Sequence, residues 1–136
     1  MATGVDRYYE SLKKNLENLP AFSARPYDEP EGDSLIFYAR DEQSYAKRLN
    51  SLLTLFLSTK DDTLVGCEVK GVQRMLRLLR LAGSFGVIVR DDKLRLGILL
   101  FFALAEPPDD PSMAGFEEDV REYRDVEIDS RDLQPA

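Results

Sequence analysis

Hydrophobic and polar positions alternate with two different periods along the chain. Between Asp6 and Leu19 (DRYYESLKKNLENL) apolar residues recur at the three- and four-residue spacing of an amphipathic helix, which Pro20 ends. The next stretch, AFSARPYDEPEGD, mixes Pro26, Pro30 and Gly32 with charges and reads as an extended connector. From Asp33 the period becomes two. Ser34–Ala39, Ser51–Ser58 and Thr63–Lys70 read as strands, with a further short strand over Tyr45–Leu49. The turn-forming residues Thr59–Asp62 predict that the Ser51–Ser58 and Thr63–Lys70 strands form an antiparallel hairpin. Leu53, Leu55 and Leu57 then share one face with Val65, Cys67 and Val69 of the partner, and this face is the expected core.

The period returns to 3.6 at Val72. Val72, Met75, Leu76, Leu78, Leu79 and Ala82 occupy one broad side of a helix, with Gln73, Arg74, Arg77 and Arg80 on the other and Gly83 placed to end it. Val87–Arg90 and Lys93–Leu96 flank Asp91-Asp92 as a second hairpin. The apolar run Gly97–Ala105 fits either a buried strand or a short buried helix, and helix is the preferred reading. Pro107, Pro108 and Pro111 close this region, and Phe116–Val126 reads as a short charged helix. The predicted class is α+β: a small, mostly antiparallel sheet with an N-terminal helix and a covering amphipathic helix. Residues 1–110 form the expected domain, and 111–136 an acidic C-terminal tail.

Composition narrows the function more than it defines it. The chain has 136 residues, 43% of them hydrophobic and 32% charged, within the range of one globular domain. The longest apolar run, Ile98 to Ala105, is far shorter than the roughly 20 residues of a membrane-spanning helix, and the charged N-terminus is unlike a secretory leader. A single cysteine precludes an internal disulfide and fits a reducing, cytoplasmic setting. The net charge of −7 is unevenly spread: about −3 over residues 1–62, +4 over 63–105 and −8 over 106–136.

The chain has no histidine, which removes imidazole-based triads and the usual zinc sites. Cys67, in mid-strand on the apolar face, is expected to be core. The acidic pairs Asp61-Asp62, Asp91-Asp92 and Asp109-Asp110 read as solvated turns. No nucleotide-binding glycine motif occurs, and no cofactor or metal is expected. Two candidate surfaces are left. Arg74, Arg77 and Arg80 line one helix face, with Lys70, Arg90, Lys93 and Arg95 near in sequence, and guanidinium groups suit an acidic partner. Nucleic acid is the lesser alternative there, because the total charge opposes it. Glu68 and Lys70 share a strand face with Gly66, where a missing side chain leaves room for a small ligand or carboxylate chemistry. Both arrangements also have plainer explanations, a solvated helix and a cross-strand ion pair.

The span Asp33–Val72 resembles an uncharacterised family of short bacterial β-rich domains through Asp33, Leu35, Phe37, Asp61, Val65, Gly66, Glu68 and Val69. That resemblance implies a small β unit of unknown function and supplies no catalytic residues. The overall expectation is a non-enzymatic bacterial interaction or accessory protein that forms a homodimer.

Overall fold

The computed structural model describes residues 10, 24–29, 32–81, 93–129 and 133. Apart from Glu10, the expected N-terminal helix over 6–19 lies outside these residues, as do the Gly83 helix stop and the Val87–Arg90 strand. The fold is α+β, as the periodicities predict. Strands β1 (Tyr27–Glu29), β2 (Ser34–Tyr38), β3 (Ser44–Arg48), β4 (Leu53–Ser58) and β5 (Leu64–Lys70) form one antiparallel sheet in the order β1-β2-β5-β4-β3. A two-stranded sheet pairs β6 (Lys93–Arg95) with β7 (Glu127–Asp129). Among the described residues, three helices follow the large sheet in sequence: α1 (Val72–Leu81), α2 (Leu96–Ala103) and α3 (Phe116–Arg121). Short 3-10 turns occupy Pro111–Met113 and Glu122–Asp125.

The β4–β5 hairpin sets the register of the core. Leu53 lies opposite Val69 and Leu55 opposite Cys67, and a bulge after Phe56 brings Leu57 opposite Leu64. On the other side of β5, Leu35 lies opposite Val69 and Phe37 opposite Cys67. All of these paired side chains but the partly buried Leu64 are buried and belong to one hydrophobic cluster with Met75, Leu76, Leu99, Leu100 and Val120. α2 and α3 pack against β5, and α1 packs against α2. The apolar run is helix from Leu96 to Ala103, the preferred of the two readings, with Leu96, Leu99, Leu100 and Ala103 buried.

α1 starts where β5 ends because Gly71 adopts φ +74°, a left-handed conformation that costs a side-chain-bearing residue energy. Its N-terminus is capped from a distance. The Asp33 carboxylate accepts from the Gln73 N–H at 3.0 Å, and the Asp33 carbonyl accepts from the Gly71 N–H at 2.9 Å. The turn before β2 and the start of α1 are thereby joined.

The segment after Pro111 differs from the expected tail. Met113, Val120, Ile128 and Leu133 are buried in the same core cluster as the sheet, so this stretch completes the domain. Its net charge conceals the apolar residues that anchor it. The described partner of β6 is β7, with Leu94 opposite Ile128, both buried. Ion pairs Lys93–Asp129 (3.8 Å) and Arg95–Asp125 (3.6 Å) set the acidic end against part of the basic centre. No helix among the described residues is long and apolar enough to cross a membrane.

Candidate functional site

The Glu68 surface is built by β5 and its neighbours. Glu68 lies opposite Ile36 of β2 and Thr54 of β4. The Ser34 hydroxyl donates to its carboxylate at 2.8 Å and lies 3.4 Å from the Glu29 carboxylate. Lys70 is exposed, and no ion pair joins it to Glu68 among the described residues. Burial, then the nearby Tyr38, Glu29 and Glu68, raise the pKa of the Tyr27 phenol above its ordinary value. The result is a satisfied polar patch on the sheet.

The space expected above Gly66 is filled. Gly66 lies between Tyr38 on one side and Phe56 on the other, and their rings stack with centroids 4.7 Å apart at 18°. A Cβ at Gly66 would lie 2.3 Å from the Phe37 carbonyl oxygen and 3.1 Å from the Tyr38 ring. The glycine thus serves close strand packing beneath an aromatic pair, which closes the ligand space suggested by the sequence.

Cys67 is buried in the core, as its place on the apolar strand face predicts, and burial pushes its thiol pKa up to about 12. No group of three or more Asp, Glu or Cys side chains is arranged to hold a metal among the described residues.

The helix surface differs from a plainly solvated face. At 100° per residue, Leu78 and Leu81 project beside Arg74 and Arg77, each leucine four residues after an arginine. The core takes only Val72, Met75, Leu76 and Leu79. Leu78 is 45% and Leu81 78% exposed, so part of the apolar side predicted from the sequence faces outward. Phe101 of α2 is 75% exposed and meets the Phe102 ring edge-on at 6.1 Å. Arg74 and Arg77 have no hydrogen bond or ion pair among the described residues, whereas Arg80 has a partner.

Two open grooves flank this surface. One, of about 340 Å³, has Leu52, Gly71, Arg74, Met75, Leu78 and Phe102 among its lining residues. The second, of about 310 Å³, lies between α2 and the α3 region, with Phe101 as one wall and Arg121 and Arg124 at its edge. Phe101, Arg121 and Arg124 escaped the sequence reading because α2 is apolar on every side and because the stretch carrying the two arginines is dominated by acids.

No family model matches the chain, and no curated protein or solved structure does. Function is therefore read from the chain's own chemistry.

Proposed function

We propose that this protein is a non-enzymatic interaction module of the cytoplasm whose working surface is the outward side of α1 and α2. The observation that carries this reading is the exposure of Leu78 and Leu81 beside Arg74 and Arg77 on α1, two arginines with no hydrogen bond or ion pair among the described residues, together with the exposure of Phe101 on α2. Large apolar side chains concentrated on one surface mark places where another molecule docks, and arginine is enriched in such interfaces. Satisfied polar groups on the sheet and a buried, un-ionised cysteine favour binding over catalysis.

Self-association is the first form of this reading. A second copy would cover Leu81 and Phe101 and give a homodimer. The sheet edges support it less than the helices do: β1 has only three residues, and β3 carries Lys47 and Arg48, features that discourage edge pairing. Multi-angle light scattering across a wide dilution series tests it. The expected result is a dimer that Leu81→Glu with Phe101→Glu converts to a monomer. A monomer at every concentration counts against self-association and leaves an unlike partner.

An acidic protein partner is the second reading, favoured by Arg74 and Arg77 of α1, which have no ion pair among the described residues. It predicts binding that weakens as salt rises and that Arg74→Glu with Arg77→Glu removes.

A further inference from the structure

The groove between α2 and α3 has a composition of its own. Leu100, Phe101 and Leu104 give it an apolar lining, and Arg121 and Arg124 place two guanidinium groups at its edge. It exists because Gly97 lets the two elements approach. A Cβ at Gly97 would lie 2.9 Å from both the Cβ and the carbonyl oxygen of Arg124. The Leu96 N–H donates to the Val126 carbonyl at 2.8 Å and fixes the same junction.

The charges here are available. Arg121 has Glu117 and Glu118 four and three residues before it, at ion-pairing distance in sequence, yet makes no side-chain hydrogen bond or ion pair among the described residues. Arg124 donates to the Arg121 carbonyl at 3.1 Å, and Asp125 beside it pairs with Arg95 instead. Arg95, the residue capping α2, provides no side-chain cap, and the first turn of the helix has no acid. In a chain with 25 acidic and 18 basic residues, cations with no ion pair among the described residues, beside exposed apolar side chains, are complementary to an occupant that is both apolar and anionic.

We propose that this groove is the docking site for an acidic amphipathic segment of a partner protein, its apolar residues against Leu100, Phe101 and Leu104 and its carboxylates on Arg121 and Arg124. The inference rests on the reading of the protein as an interaction module and does not require the homodimer, whose second copy would compete with the segment for Phe101. Exposed Phe101 supplies an apolar anchor, and the two arginines at the groove edge select the sign of the partner's charge.

Three labelled helical peptides of about four turns test it, all with leucines at three- and four-residue spacing and with the polar positions filled by Glu, Lys or Gln. Fluorescence anisotropy against the full chain reads binding. The Glu peptide is expected to bind at least about tenfold more tightly than the Lys peptide at low salt, a preference that narrows at high salt. Arg121→Glu with Arg124→Glu, both at exposed positions, is expected to abolish that preference. Phe101→Ser is expected to weaken the Glu peptide about tenfold. Equal binding of all three peptides, no binding of the Glu peptide, or unchanged selectivity in the double-arginine variant would overturn the proposal. Light scattering on the same proteins separates the two levels. A dimer dissociated by Leu81→Glu with Phe101→Glu, combined with peptides that bind without charge preference, removes the acidic-segment site and leaves the interaction module standing.

Discussion

The side-chain amide of Asn50 donates to the carbonyl of Ala103 at 2.8 Å, joining two residues 53 positions apart. Its oxygen accepts from the N–H groups of Leu52 and Leu53, both at 2.9 Å, and its nitrogen also reaches the Glu106 carbonyl at 3.2 Å. One buried side chain therefore shapes the entry to β4 and ties it to the end of α2. The helix carrying Phe101 is positioned by this connection.

Replacing Asn50 by Ala strands buried backbone groups on both elements. The expected cost is about 3 kcal/mol, since each unsatisfied buried group costs roughly 1–3 kcal/mol. Urea unfolding measures it, and a loss below about 1 kcal/mol would show that water replaces the amide without penalty.

Gly66→Ala places a methyl against the Phe37 carbonyl and the Tyr38 ring. Strand backbone cannot yield as a side chain can, so the expected loss is about 3 kcal/mol or more. Gly71→Ala is expected to cost less, about 1–2 kcal/mol, because its penalty comes from φ +74° while the nearest atom, Leu52 Cδ2, stays 3.5 Å away. A reversed order in thermal unfolding would contradict this account of the two glycines.

Several elements were legible because a local pattern is sufficient to specify them. The alternation of Leu53, Leu55 and Leu57 marks β4, and the spacing of Val72, Met75, Leu76 and Leu79 marks α1. β1 and β7 gave no such signal. Each has three residues, and each is defined by a distant partner: Tyr27 by Ile36, and Ile128 by Leu94. The acidic composition of 106–136 likewise hid four core residues, because burial depends on a few apolar side chains and charge on all the others. At the candidate site, Arg74 and Arg77 were visible as a helical face. The exposure of Leu78 and Leu81 was not, since periodicity groups apolar residues without saying which arc the core covers.

Asp33→Ala is expected to destabilise the protein by about 1 kcal/mol through loss of the α1 cap, with Asp33→Asn close to the parent because the amide oxygen accepts the same bond. Chemical denaturation of both variants checks this. Equal losses would place the effect in the negative charge of the carboxylate and not in its acceptor oxygen.

Alkaline pH should destabilise the fold in a defined window. Burial raises Cys67 from 9.0 to about 12 and is the largest cause of the rise of Tyr123 from 10.0 to about 12. Between the unfolded and folded values the unfolded chain has lost protons that the native protein keeps, so stability falls as pH rises from about 9 to 12. Below pH 9 both contributions are fully present. Cys67→Ala is expected to remove the earlier part of the decline, and native Cys67 is expected to resist a thiol reagent at pH 8 until the protein unfolds. Rapid labelling of the native protein would contradict its enclosure in the core.

The central claim is that the outward side of α1 and α2 is a binding surface, and light scattering on the parent and on Leu81→Glu with Phe101→Glu tests it most directly. Both substitutions fall at exposed positions, so the variant is expected to keep the parent's thermal stability. The account predicts a dimeric parent and a monomeric variant. A parent mass of one chain at every concentration would contradict self-association, and a dimer that survives both substitutions would place the interface elsewhere on the fold.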